Sequence, residues 1–116
     1  MELEKTLRMN LLFSFYGKLL TPKQAAYMAD YYEEDYTLAE IADNHQVSRQ
    51  AVYDSLKRTE KALLAYEKQL RLVEEFEHRR EILKEIKDYL EDNYGEDPKL
   101  NELIDKIIQD ETREEN

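Results

Sequence analysis

Residues 48–58 of this 116-residue chain read SRQAVYDSLKR. Their side chains suit the reading of nucleic-acid bases. The Arg49 guanidinium matches the O6/N7 edge of guanine, and the Gln50 carboxamide matches the N6/N7 edge of adenine. Lys57 and Arg58 supply cations for phosphate. Ser48, as a helix cap, leaves backbone amides turned toward a further phosphate. Asp54 is the odd neighbour. A carboxylate near phosphate is repelled unless it accepts from cytosine or pairs internally. With a period of 3.6 residues, Arg49, Gln50, Tyr53, Asp54, Lys57 and Arg58 are expected to be exposed, with Val52 and Leu56 turned inward.

Other chemistries are poorly served. There is no cysteine, which removes disulfides, thiolate zinc sites and thiol nucleophiles. With two glycines in the whole chain, a glycine-rich phosphate cradle is excluded in practice. His45 and His78 are the only histidines and lack partners at a metal-binding spacing, so both read as solvated. Glu33, Glu34 and Asp35 read as a solvated loop rather than a cation site. Tyr31, Tyr32 and Tyr36 have acidic neighbours, not the cations of a base-stacking surface. They read as inter-helix packing with hydroxyls at the surface. No catalytic residue, metal or cofactor is expected, and the chain is not read as an enzyme.

These side chains need a scaffold, and the sequence supplies helices. Leu7, Leu11, Leu12, Phe15 and Tyr16 mark a first helix, with Gly17 as a left-handed stop. Thr21-Pro22-Lys23-Gln24 opens a second helix with a capping box and Pro at its first position. Thr37-Leu38-Ala39-Glu40 repeats the capping logic for a short third helix to about Asn44. Ser48 starts a fourth helix, and no Gly or Pro follows until Gly95. This stretch is one long helix or two with a bend between residues 69 and 81. Its apolar seam runs through Val52, Leu56, Leu63, Tyr66, Leu70 and Val73, and resumes at Ile82, Leu83, Ile86, Tyr89 and Leu90. Asp97-Pro98 opens a last helix with Leu100, Leu103, Ile104, Ile107 and Ile108 on one face. Glu111 to Asn116 is expected to be a frayed polar tail.

The fold class is therefore all-α: a helix-turn-helix domain over 1–68, then a helical extension over 69–116, within one compact unit. Residues 37–58, TLAEIADNHQVSRQAVYDSLKR, carry the helix-turn-helix pattern. In that motif the second helix enters the major groove and its first turns face base edges. Gln46 occupies the turn position where a small residue is usual; a positive φ there would cost about 1 kcal/mol.

The net charge of −10 opposes nucleic acid. Its distribution does not. Residues 48–62 hold Arg49, Lys57, Arg58 and Lys61 against Asp54 and Glu60, a local +2 between acidic flanks. Any DNA affinity should be modest and sensitive to salt. No apolar stretch is long enough to span a membrane, and the N-terminus lacks the features of a signal peptide. The C-terminal seam exceeds what one short helix can cover, so a homodimer through that half is expected.

The segment LTPKQAAYMADYYEEDYTLAEIADNHQVSRQAVYDSLKRTEKAL resembles region 4 of bacterial sigma factors. Across nearly its whole length the chain is similar to the YlxM-like helix-turn-helix proteins of Gram-positive bacteria. MNLLFSFYGKLLTPKQ, SRQAVYDSLKRTEK and YEKQL carry that similarity. The resemblance implies a cytoplasmic, non-enzymatic protein. It also implies a role in the signal recognition particle pathway, inferred for the family from gene neighbourhood. Arg49, Gln50, Tyr53, Lys57 and Arg58 match the family's recognition helix; Gln46 departs from its usual small turn residue. Two functions are compatible with these residues. One is a regulatory protein that binds nucleic acid, DNA or RNA. The other is a protein-interaction module that binds a signal recognition particle component without nucleic acid.

Overall fold

The computed structural model describes residues 2–113. They form six α-helices: α1 (Glu2–Tyr16), α2 (Pro22–Met28), α3 (Leu38–His45), α4 (Arg49–Leu70), α5 (Leu72–Tyr94) and α6 (Pro98–Arg113). A 3₁₀ turn, Gly17–Leu19, follows α1, and a π-helical turn, Ala29–Glu33, extends α2. The all-α architecture is the one expected. The chain falls into two compact units, Met1–Leu70 and Arg71–Asn116.

The break lies at Arg71, which adopts a left-handed conformation (φ 56°, ψ 28°) between α4 and α5. A left-handed non-glycine residue costs roughly 1–2 kcal/mol. Arg71 meets part of that cost by donating two hydrogen bonds to Glu74, at 3.0 and 3.1 Å.

In the first unit the expected caps are present. Thr21 Oγ1 accepts from the Gln24 amide while Gln24 accepts from the Thr21 amide. Thr37 and Glu40 repeat the exchange. Gly17 differs from expectation. It continues into the 3₁₀ turn, and its φ is not positive. A Cβ there would come within 3.1 Å of the Phe13 ring, so small size explains this glycine. The core holds Met9, Leu12 and Tyr16 of α1, Tyr27 and Met28 of α2, Tyr32 of the π-helical turn, Ile41 and Ala42 of α3, and Val52, Leu56 and Leu63 of α4. Leu7, expected inward, is 61% exposed; Met9 occupies the buried position instead.

Two carboxylates are buried on α4, and each receives a tyrosine hydroxyl. Tyr16 donates to Glu67 Oε1 at 2.6 Å, and Tyr32 donates to Glu60 Oε2 at 2.7 Å. A buried carboxylate is tolerated when hydrogen-bonded, so these pairs satisfy Glu67 and Glu60. They also correct the reading of the tyrosine cluster. Tyr32 is buried with its hydroxyl inside, while Tyr31 and Tyr36 are partly exposed.

In the second unit, Gly95 ends α5 with a positive φ of 78°, and Asp97 Oδ1 accepts from the amides of Lys99 and Leu100 to cap α6. Ile104 is buried, and Lys87 pairs with Asp105 at 3.3 Å between the two helices. The helix α6 continues through Arg113, past the expected start of a frayed tail. The rest of that tail, residues 114–116, lies outside the described residues.

Candidate nucleic-acid interface

The candidate interface is built by α3, the turn Gln46–Ser48 and α4. Gln46 has φ 56° and ψ 47°, the left-handed conformation that its position raised as a question. Its amide donates to the carbonyls of Ala42 and Asp43, and the Val47 amide donates to Ala42 at 3.0 Å. These bonds satisfy the last carbonyls of α3 and turn the chain sharply. Ser48 then restarts it. Its Oγ accepts from the Ala51 amide at 3.0 Å, which makes Ser48 the cap of α4.

α3 is fixed from its other side by His45. Its Nε2 lies 2.9 Å from Asp30 Oδ2, and its ring meets Tyr27 edge-on at 4.9 Å. His45 is thus a partnered residue tying α3 to the turn after α2, not the solvated group the sequence suggested. Nothing local in the sequence links positions 30 and 45.

Val52 and Leu56 are buried, and Ser48, Arg49, Gln50, Tyr53, Lys57 and Arg58 are all exposed. On an α-helix, positions 49, 53, 57, 50, 54 and 58 share one continuous half of the surface. The side chains on this face differ in their freedom. Arg49, Arg58 and Lys61 make no ion pair among the described residues. Gln50 donates from Nε2 to Asp54 Oδ1 at 2.9 Å, which is the internal pairing that makes Asp54 intelligible here. Lys57 lies over the Tyr53 ring, 5.4 Å from its centre, and 3.7 Å from Glu60 Oε1.

Sequence reasoning missed Lys5 and the burial of Glu60 in this neighbourhood. Lys5 of α1 places its Nζ 3.5 Å from the same Glu60 oxygen, and Glu60 itself is buried with Tyr32. Tyr32 is held protonated well above its ordinary range, by burial first and then by Glu60. Lys61, counted only in the charge balance, lies exposed one turn beyond Lys57. Among the described residues no group of carboxylates and histidines is arranged to hold a metal ion. No described helix is long and apolar enough to cross a membrane.

Comparison with known proteins places this geometry in context. The family described as "UPF0122: Putative helix-turn-helix protein, YlxM / p13 like" matches residues 3–107. The chain is 52% identical over 105 residues to a UPF0122 protein of Geobacillus sp. (strain WCH70), covering 90% of this chain and 96% of that one. It is 52% identical over 105 residues to a UPF0122 protein of Geobacillus kaustophilus, with the same coverage. It is 53% identical over 105 residues to one of Limosilactobacillus fermentum, covering 90% of this chain and 93% of the relative.

Proposed function

The chain belongs to the YlxM/p13-like helix-turn-helix family UPF0122, and on that premise we propose that it is a regulatory protein that binds nucleic acid through α4. The observation that carries this reading is the face of α4. Arg49 and Gln50 stand exposed in its first turn, with Lys57 and Arg58 two turns behind on the same side. This order fits a helix whose N-terminal end faces bases while its shoulder meets phosphate. Arg49 is assigned to a guanine edge, Gln50 to an adenine edge, and Ser48, Tyr53, Lys57 and Arg58 to the backbone. Duplex DNA is the preferred ligand because a helix fits its major groove; the deep, narrow groove of duplex RNA does not admit one.

The reading includes a homodimer. Ile82, Ile86 and Tyr89 on α5 and Leu103 and Ile107 on α6 are between 41% and 52% exposed. Their spacing makes an apolar stripe on each helix of the second unit, and burial of such a stripe drives association. A second copy would cover both stripes and provide a second recognition helix. Leu63 and Val73 of the expected seam, and Phe76 beside them in sequence, are already buried in one chain. A cytoplasmic role in the signal recognition particle pathway rests on the family resemblance, and no catalytic activity is assigned.

The test is selection of bound duplexes from a random-sequence pool. The expected result is an enriched pair of half-sites about one helical turn apart, related by two-fold symmetry. A single unpaired half-site would contradict the dimer. No enrichment, with a signal recognition particle component retained instead, would favour the protein-interaction reading.

A further inference from the structure

Lys5 and Lys57 come from helices far apart in sequence, yet both ammonium groups address Glu60 Oε1, at 3.5 and 3.7 Å. The two distances together hold the nitrogens within about 7 Å of each other, close enough for appreciable repulsion between like charges. One carboxylate offsets one of them. The other positive charge is left over.

The carboxylate cannot turn outward to meet solvent freely, because its second oxygen accepts from the buried Tyr32 hydroxyl at 2.7 Å. Glu60 is 10% exposed at its side chain, whereas Lys5 and Lys57 are 49% and 45% exposed. The arrangement is a fixed negative charge beneath two half-exposed positive ones. Lys57 is further steadied over the Tyr53 ring. A buried acid that needed only neutralisation would be served by one lysine. Two lysines from separate helices, spread over one carboxylate, leave a net positive spot with ammonium hydrogens free toward solvent.

We propose that Lys5 and Lys57 form a two-helix clamp for a backbone phosphate of the bound nucleic acid. The clamp rests on the nucleic-acid reading of α4 and extends its contact surface to α1. It places α1 against the strand at the groove's edge, while the first turn of α4 faces the bases. Glu60 and Tyr32 act as positioning residues that hold the lysines at one height. The contact is to phosphate, so it adds affinity without sequence preference.

The test uses the full chain and a fluorescent random-sequence DNA duplex about two helical turns long, titrated between roughly 50 and 200 mM salt. Loss of one phosphate contact reduces the slope of log affinity against log salt by about 0.9, so Lys5→Ala should lose about 3-fold less affinity than wild type across that range. Lys5→Arg should retain the wild-type slope. A purely structural Lys5 would lower the unfolding midpoint and leave the salt slope alone. If wild type binds the duplex and Lys5→Ala keeps its slope, the clamp is wrong and the α4 reading stands. If wild type shows no binding even at the lowest salt, both fall together.

Discussion

Gln50 donates from Nε2 to Asp54 Oδ1 at 2.9 Å, across one turn of α4. An ionised carboxylate can only accept, so this bond fixes which way the carboxamide faces. One N–H is used. The other N–H and the carbonyl remain, the donor and the acceptor that adenine N7 and N6 require. On the proposed reading, Asp54 aims Gln50 rather than obstructing DNA.

The first prediction follows from that geometry. Asp54→Ala should free the Gln50 carboxamide and reduce discrimination for adenine over guanine at the contacted pair by about 3- to 10-fold, part of the 1–3 kcal/mol that a bidentate pair provides. Competition between duplexes differing at that single pair measures it. Unchanged discrimination would mean that Gln50 is not oriented by Asp54.

The buried Tyr32–Glu60 bond predicts a stability change with its own pH signature. Tyr32→Phe removes the donor and should destabilise the first unit by about 1–3 kcal/mol, read as a lower urea midpoint. Tyr32 ionises in the folded state only well above its ordinary value of 10.0. The folded state therefore holds this proton more tightly than the unfolded chain. Its stabilising contribution is complete below about pH 10 and is lost as pH rises toward the folded value. Stability of the wild type should fall above pH 10 more steeply than that of Tyr32→Phe. Parallel curves would remove Tyr32 from the account.

Gln46 gives a prediction of opposite sign. Its left-handed backbone costs roughly 1–2 kcal/mol, and glycine would relieve this while adding about 0.5–1 kcal/mol of unfolded-state freedom. Gln46→Gly should therefore stabilise the chain by about 0.5–1 kcal/mol in urea unfolding. A destabilised variant would show that the Gln46 side chain contributes more than its backbone costs.

How much of this was legible in the sequence depends on the range of each interaction. The capping boxes at Thr21 and Thr37 and the cap at Ser48 were readable because partner and cap lie three residues apart. The exposure of Arg49, Gln50, Tyr53, Lys57 and Arg58 followed from helical period alone. The break at Arg71 carried no signal, since arginine is an ordinary helix former and its left-handed turn comes from the fold. The Tyr16–Glu67, Tyr32–Glu60 and Lys5–Glu60 contacts were invisible for a related reason. They join helices through tertiary packing, and a buried glutamate looks like any surface glutamate in a one-dimensional pattern.

The apolar stripe of the second unit yields a prediction about assembly. Ile86→Asp places a charge at the middle of the α5 stripe formed by Ile82, Ile86 and Tyr89. Burying an unpaired carboxylate in an interface is strongly unfavourable. Sedimentation at micromolar concentration should show a dimer for wild type and a 14.0 kDa species for the variant. A wild-type monomer would refute the dimer; a variant that still dimerises would place the interface elsewhere.

The central claim is that α4 binds nucleic acid through its exposed cationic face, and one measurement tests it most directly. Fluorescence anisotropy of a labelled duplex carrying the selected site is followed for wild type and for the triple variant Arg49→Ala, Lys57→Ala and Arg58→Ala. All three residues are exposed, so the variant should keep the fold, which its helical circular dichroism checks. The account predicts salt-sensitive binding by wild type. It predicts a loss of at least about 100-fold in the variant, because one base contact of about 1–3 kcal/mol and two phosphate contacts disappear together. Equal affinity of the two proteins for the duplex would contradict the account.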